Sequence, residues 1–311
     1  MMHRAMTTNR TAILALAAAG ALWGLTVPLS KLSLDWLGGG WLTVIRFALA
    51  APLLAFAGRR GLRAALTPQV AAAGAIGFGA VILLQNAGIE RTSVSHAALV
   101  VGAVPVMVAL MAAGLGQGIA RPVAWAGYGL ALAGIAMVAG GGGTGATAAG
   151  DLLVFASVAL SVTFIVVQPR LLAGSRPAAV TAVQFGAGAL VALPHAIAFE
   201  GVPPAPAVAG PEVALLALAF AGTLLPFWLF AHGQAHVPAG LAGAFLNLEP
   251  LVGVAVGWIG FGEAVATTQL LGGVAVLAGI ALSSSLPGGE GRRPRGGRPR
   301  AWRPRLLIGT N

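Results

Sequence analysis

Residues 85–110 read QNAGIERTSVSHAALVVGAVPVMVAL, and glycine and proline positions of this stretch recur 145 residues later. The matches at this spacing need no gap and continue beyond the stretch: Gly88, Pro105, Gly127, Gly134 and Ile135 are identical to Gly233, Pro250, Gly272, Gly279 and Ile280. A weaker match at an offset of 138 relates Leu22 and Phe47 to Leu160 and Phe185. The sequence therefore predicts two copies of one structural unit.

The composition places these copies in a membrane. Of the 311 residues, 58% are hydrophobic and 8% are charged, whereas about a quarter of a soluble domain is charged. So few charges cannot cover a water-exposed surface, which excludes a soluble enzyme, a disordered protein and a fibrous protein. The absence of cysteine excludes disulfides, thiolate catalysis and cysteine-bound metals.

Apolar runs of a length suited to transmembrane helices follow one another along the chain. The ten runs are 11–30, 37–57, 70–89, 95–114, 123–140, 151–168, 178–199, 213–232, 239–260 and 267–286. The first could also be a signal peptide, but its continuation into LSKLSLDW and the later runs favour an uncleaved helix. The predicted fold class is an all-α integral membrane protein with ten transmembrane helices.

Five helices in each copy make the two copies inverted with respect to the membrane, because an odd number of crossings reverses the entry side. Inverted repeats enclose a site near the bilayer midplane and alternate its access by rocking. The predicted division is an N-terminal segment at 1–10, a first repeat at 11–140, a second repeat at 150–286 and a basic tail at 287–311.

The distribution of basic residues predicts that both termini are cytoplasmic in the inner (plasma) membrane. Without the tail, one side carries eight arginines and the other carries Lys31 and Arg91. The eight are Arg4, Arg10, Arg59, Arg60, Arg63, Arg121, Arg170 and Arg176. The tail holds seven of the 18 basic residues among Gly and Pro, which predicts a disordered segment or a contact with anionic lipids. No nucleic-acid partner is expected.

Several motifs stand in a characteristic order. They are ALWGLTVPLSK with Trp23, Gly24 and Lys31; IRFALAA with Arg46 and Phe47; Asn86 and Pro105 in the stretch quoted above; GDLLVFASVAL with Gly150 and Asp151; LNLEPLVGVAVGWIGFGEAV with Glu249, Pro250, Gly262 and Glu263; and QLLGGVAVLAGIAL. Over about residues 11–285 the chain resembles the EamA-type ten-helix members of the drug/metabolite transporter superfamily. It departs from them at Ser161, Phe164 and Gln117, where that family often has Trp, Tyr and an acidic residue.

The resemblance implies a secondary transporter of small metabolites or drugs, commonly an exporter of amino acids or similar solutes. A membrane channel or scaffold is the alternative. An intramembrane enzyme is less favoured, because the chain has no Gly-x-Ser-x-Gly elbow and no His-Glu-x-x-His motif. ATP-driven transport is less favoured because the chain has no phosphate loop. The expected partners are a small-molecule substrate and the lipid bilayer, with no cofactor or metal, while proton coupling and the oligomeric state stay open.

Two charged residues lie well inside apolar runs. Arg46 is expected either to pin the bundle through carbonyls or a carboxylate, or to contact an anionic substrate group. Glu249 directly precedes Pro250, which suggests a hinge beside an acid. That acid is expected either to carry a proton or a substrate amine, or to form a salt bridge with Arg46 or a packing hydrogen bond.

Uncharged polar residues complete the candidate substrate pathway. Asn86, Gln184 and Asn247 either bond between helices or line the cavity. Trp23 is either a cavity wall or a packed aromatic. Pro105 and Pro250, equivalent in the repeat, are the predicted hinges. The histidines, including His96, are expected to be packed or interfacial.

Overall fold

The computed structural model describes residues 2–114, 122–140, 145–205, 209–234, 245–263 and 266–284, and this part of the chain contains helices and loops but no strand. Six helical stretches are long and apolar enough to cross a membrane, namely Arg10–Leu34, Gly39–Ala57, Pro68–Arg91, Ala148–Leu172, Pro177–Glu200 and Ala209–Phe230. Three shorter apolar helices are Val94–Val108, Leu248–Gly260 and Thr267–Gly279. The chain is thus an all-helical membrane protein, while the count of ten helices and the inverted repeat stay predictions.

The helices are numbered in chain order. The first half contains α1 (Met2–Gly24), α2 (Thr26–Leu34), α3 (Gly39–Ala57), α4 (Leu62–Ala65), α5 (Pro68–Gly74), α6 (Val81–Arg91), α7 (Val94–Val101), α8 (Val104–Gly114) and α9 (Pro122–Gly140). The second half contains α10 (Ala148–Leu172), α11 (Pro177–His195), α12 (Ala209–Ala219), α13 (Leu225–Gln234), α14 (Leu248–Gly260) and α15 (Thr267–Ser284). Short 3-10 turns are Arg59–Gly61 and Phe245–Asn247, and π-helical turns are Ala75–Ala80, Ala196–Glu200 and Phe220–Leu224. The predicted tail at 287–311 lies outside the described residues.

Prolines account for two helix interruptions in the first half. Pro28 has no N–H for the carbonyl of Gly24, and α1 gives way to α2 at that point. Pro105 likewise cannot bond the carbonyl of Val101, where α7 ends before α8 begins. Single apolar runs of the sequence are therefore split into two helices by the missing amides.

The segments of the first half pack mainly on segments of the second half. The main pairs are α1 with α13, α2 with α12, α3 with α11, α6 with α10, α7 with α14 and α9 with α15. Glycines allow α9 and α15 to approach closely: a Cβ on Gly134 or Gly279 would lie 2.5 Å from a backbone oxygen of the other helix. These glycines are equivalent in the sequence repeat, and their small size lets two helix backbones touch.

One end of the bundle is joined by carboxylates of the second half, and we call it the carboxylate end. There Glu200 accepts from the backbone N–H groups of Gly40 (2.7 Å) and Trp41 (2.9 Å), and thereby caps α3. Glu263 accepts in the same way from Val94 (2.5 Å) and Ser95 (3.0 Å) at the start of α7. The carboxylate end thus links the two halves through unpaired amides of helix N-termini.

Candidate functional site

Arg46 lies on α3 and is buried inside the bundle, with 9% of its surface exposed. Its Nε donates to Thr223 Oγ1 at 2.7 Å, and that hydroxyl donates to the carbonyl of Leu218 at 2.7 Å. Thr223 belongs to the π-helical turn Phe220–Leu224, whose wider winding leaves a carbonyl for the hydroxyl. The anchor of Arg46 is therefore a hydroxyl on the opposite half, a residue that the sequence did not single out.

The rest of the guanidinium remains available for another group. Within the described part of the chain, the Nη atoms of Arg46 have no hydrogen-bonding partner. The guanidinium carbon lies 5.4 Å from the ring centre of Phe47. An arginine has five N–H donors in a planar fork that matches a carboxylate. Arg46 can therefore hold an anionic group while Thr223 fixes its orientation.

A continuous cluster of aromatic rings extends from Phe47 beside this position, and we call it the aromatic cluster. Its members are Trp23, Phe47, Phe78, Phe164, Phe185, Phe227 and Phe230. The rings of Phe47 and Phe185, equivalent in the weaker repeat, meet with their centres 4.7 Å apart. Trp23 contacts Phe227 edge-on at 5.3 Å. Aromatic pairs of this kind give a rigid apolar wall.

The amides Asn86 and Gln184 bond between helices. Asn86 Nδ2 donates to Gly39 O and to Thr43 Oγ1, both at 3.2 Å, which joins α6 to α3. Gln184 and Gln168 exchange two amide hydrogen bonds of 2.8 and 3.0 Å, which join α11 to α10. These contacts favour the packing interpretation, and a role in the substrate pathway stays a prediction.

Glu249 occupies a different position from the one expected. It lies in the first turn of α14, directly after the 3-10 turn Phe245–Asn247, rather than in the middle of a helix. Pro250 explains the start, because a proline lacks the N–H that the first turn of a helix leaves unpaired. The side chain of Asn247 lies outside the described residues.

An ion pair between Arg46 and Glu249, one of the alternatives for Glu249, is not formed among the described residues. Arg46 is engaged with Thr223, and the carboxylate of Glu249 has no hydrogen-bonding or ionic partner in the described ranges. The backbone of Glu249 instead packs on α1, where a Cβ on Gly24 would lie 2.6 Å from its carbonyl oxygen. The two charges therefore belong to different helix contacts, α3 with the π-helical turn and α14 with α1.

The predicted hinge residues lie where α7 and α14 cross. Pro105 is in the first turn of α8, just after the interruption at Gly102 and Ala103. A Cβ on Gly102 would lie 2.6 Å from Pro250 Cβ, so that interruption packs on the proline of the other half. The crossing brings a helix break against a helix start, which is geometry suited to the predicted hinge.

Sequence reasoning missed the polar contacts at the carboxylate end. Lys31 Nζ donates to the carbonyls of Ile89 (2.6 Å), Glu90 (3.0 Å) and Thr92 (2.9 Å), and so caps the C-terminus of α6. His96 is buried as expected, but its ring meets Asp151 at 2.8 Å. Lys31, Asp151 and Glu263 belong to the motifs that the chain shares with its family, and this was the sequence signal available for their role.

The family model of the EamA-like transporter family matches residues 10–140 and, a second time, residues 148–285. The chain belongs to the EamA-like transporter family. The resemblance read from the motifs is thereby confirmed. As a family member the chain is a multi-pass membrane transporter with a small-molecule substrate, and the family is one of transporters rather than enzymes.

Relatives of this EamA-like chain include a protein of Streptantibioticus cattleyicolor named "Probable terminal-alkyne amino-acid exporter". It is 28% identical over 279 residues, covering 87% of this chain and 92% of that protein. An "Uncharacterized transporter" of Archaeoglobus fulgidus is 32% identical over 107 residues, covering 34% of this chain and 37% of that protein. A solved crystal structure matches with a TM-score of 0.64 at 22% identity, covering 88% of this chain and 96% of that chain. This last likeness concerns the fold.

Proposed function

We propose that this chain is a secondary active transporter that exports amino acids or closely related solutes across the plasma membrane by alternating access. In this proposal both termini are cytoplasmic and the carboxylate end faces the outside. The exporter named among the relatives supports the direction and the substrate class, because its similarity extends over most of both chains.

The observation that carries the proposal is the partly unoccupied guanidinium of Arg46 beside the aromatic cluster. A buried charge within a membrane helix is costly and usually marks a functional site. Thr223 holds one edge of the guanidinium at 2.7 Å, which leaves the Nη edge to bind a carboxylate in a bidentate way. The neighbouring rings would cover an apolar side chain of the same solute.

Glu249 is proposed as the group that responds to the amine of the solute or to a proton. Its carboxylate has no partner among the described residues and lies on α14, a helix of the half opposite to Arg46. A substrate between the two halves would give each charge a counterion in one arrangement of the bundle. Ligands shift a conformational equilibrium by such differences in contact.

The packing of the helices supports inverted repeats at 11–140 and 150–286. In the α3–α11, α7–α14 and α9–α15 pairs, each helix packs on the helix that occupies the equivalent place in the other half. Under exchange of the halves, the α1–α13 and α2–α12 pairs correspond to the α6–α10 pair. A two-fold relation of this kind lets one site face either side by a symmetric change.

Counterflow in proteoliposomes tests the proposal, with L-propargylglycine, a terminal-alkyne amino acid, as the labelled probe. Preloaded unlabelled probe should accelerate uptake, since a carrier exchanges solute whereas a channel does not. Arg46→Lys keeps the charge but removes the planar fork, and we expect the concentration for half-maximal exchange to rise about tenfold or more.

Arg59→Lys is the matched control, because Arg59 is exposed and packs over Phe56 at 5.0 Å, at the end of α3. This variant should exchange the probe like the parent protein. Absence of counterflow in the parent protein for propargylglycine, leucine and phenylalanine would reject the amino-acid proposal. Equal effects of Arg46→Lys and Arg59→Lys would remove Arg46 from the site.

A further inference from the structure

A buried polar network lies next to the carboxylate end, and we call it the His96 network. Its side chains are those of Thr92, His96, Asp151 and Gln269. Nδ1 of His96 and Oδ2 of Asp151 are 2.8 Å apart, and the two side chains are 1% and 6% exposed. Thr92 Oγ1 donates to the other oxygen of Asp151, and the Nε2 atoms of His96 and Gln269 are in contact. The network joins α7 of the first half to α10 and α15 of the second.

The orientation of the Gln269 amide sets which nitrogen of His96 carries the proton. Gln269 Oε1 accepts from the backbone N–H of Ala266 at 2.9 Å, at the start of α15. The amide nitrogen therefore points at His96 as a donor. His96 Nε2 must accept this hydrogen bond, so that Nδ1 carries the hydrogen and donates it to Asp151. In this state neutral His96 is fully bonded.

A second proton on His96 breaks this arrangement. Protonated Nε2 becomes a donor and faces the N–H of Gln269, so two donors oppose each other. Rotation of the amide would offer its oxygen to His96 but would turn its nitrogen toward the N–H of Ala266. Either the α7–α15 contact or the cap of α15 is lost, and in a buried setting an unpaired polar group is costly.

The surroundings of His96 contain further charges on the elements packed against α7. The charged residues are Lys31 on α2, Glu90 and Arg91 on α6, Asp151 and, at the far end, Arg170 on α10, Glu249 on α14 and Glu263 after α14, and the titratable Tyr128 lies on α9. The described part of α15 carries no charged side chain. Asp151 is the one among them that bonds the ring directly. Lys31 donates to the carbonyl of Thr92, and Glu263 accepts from the N–H of Val94, so that the connection between α6 and α7 is held from both sides.

We propose that His96 is a proton-binding site of this transporter, and that a proton bound at Nε2 releases α7 from α15 and opens the carboxylate end. The bond that forms is N–H at Nε2, and the hydrogen bond that breaks is the one donated by Gln269. The role in transport rests on the proposed function, in which this end faces the outside. A proton from the outer solution would then favour release of the exported solute.

The absence of cysteine in the chain permits a direct accessibility test. Ser95 directly precedes His96, and its buried Oγ has no partner among the described residues, so Ser95→Cys breaks no hydrogen bond. In nanodiscs, the rate of reaction with a charged methanethiosulfonate is measured at pH 8 and pH 6. Each rate is divided by that of the same variant in SDS, because the thiolate fraction itself changes with pH.

We expect the normalised rate of Ser95→Cys to rise about fivefold or more at pH 6, the lower end of typical coupling between linked sites. Thr268→Cys, at an exposed position of α15, should react rapidly at both pH values. Addition of His96→Asn should abolish the rise, since asparagine still donates to Asp151 but does not titrate. Addition of Gln269→Glu should also abolish it, because a carboxylate accepts from both protonated His96 and Ala266.

His195→Gln is the matched histidine control, because the His195 side chain is 47% exposed near the same end of the bundle. It should retain the acid-induced rise. A normalised reaction rate of the Ser95→Cys variant that is the same at both pH values would overturn the proton site. A rise that persists when His96→Asn is added would overturn it as well. The labelling rate in nanodiscs depends neither on the direction of insertion nor on transport. An acid-induced rise in that rate without any counterflow in proteoliposomes would therefore reject the proposed transport function and leave the proton site standing.

Discussion

The cap that Glu200 provides for α3 can be weakened by one isosteric substitution. In Glu200→Gln one oxygen remains to accept a hydrogen bond, while the new amide nitrogen faces a backbone N–H of Gly40 or Trp41. The substitution therefore removes one bond, creates a contact between two donors and removes the negative charge from the N-terminus of the helix that carries Arg46.

The magnitude follows from the geometry of the two bonds. A hydrogen bond to a charged group contributes about 1.5–3 kcal/mol, and a charge near a helix N-terminus adds about 0.3–1 kcal/mol. The Glu200 side chain is 16% exposed, so water screens only part of this. We expect Glu200→Gln to lower the free energy of unfolding by about 2 kcal/mol. For a chain of this size the apparent Tm should fall by about 5 °C.

The assay is thermal unfolding of the purified protein in a mild detergent, followed by tryptophan fluorescence. Glu90→Gln is the control, because Glu90 makes an exposed pair with Arg91 at 3.3 Å, and such surface pairs contribute about 0–1 kcal/mol. Its Tm should stay near that of the parent protein. Equal Tm values for Glu200→Gln, Glu90→Gln and the parent protein would refute the view that this carboxylate holds the two halves together.

Three further predictions concern packing and the tail. Gly279→Leu should strongly reduce the amount of folded protein in the membrane, because a Cβ at this position would lie 2.5 Å from the carbonyl oxygen of Gly127. Gly129→Leu should not, because a Cβ there meets nothing within 4 Å. Fluorescence-detected size-exclusion chromatography compares the two variants. Gln184→Leu should cost about 1–3 kcal/mol by leaving Gln168 unpaired, and Gln168→Leu added to it should recover part of the Tm. Truncation after Leu286 should leave exchange per inserted protein unchanged, since the tail lies outside both family matches; reduced exchange at equal abundance would assign the tail a function.

Composition alone predicted the membrane class, because 8% charged residues cannot cover a water-soluble fold. Two of the repeat glycines, Gly134 and Gly279, lie where α9 and α15 touch, a contact that the repeat itself did not predict. The partner of Arg46 could not be predicted from the sequence. Thr223 sits in an apolar run like many other threonines, and its π-helical turn has no periodicity signal in the sequence. The buried charge suggested carbonyls, a carboxylate or a substrate group as partner, whereas the group that accepts from Arg46 is a hydroxyl on a turn of the other half.

The two ends of the bundle join the halves by different chemistry, and this difference bears on how each end can open. At the carboxylate end Asp151 and Glu263 accept hydrogen bonds across the halves, so a proton or a competing donor can replace a bond there. At the opposite end α3 meets the start of α11, where a Cβ on Gly58 would lie 2.5 Å from the backbone nitrogen of Ala179. This contact between α3 and α11 depends on close packing of a small residue, which protons do not alter, so of these two contacts acid should act on the one at the carboxylate end.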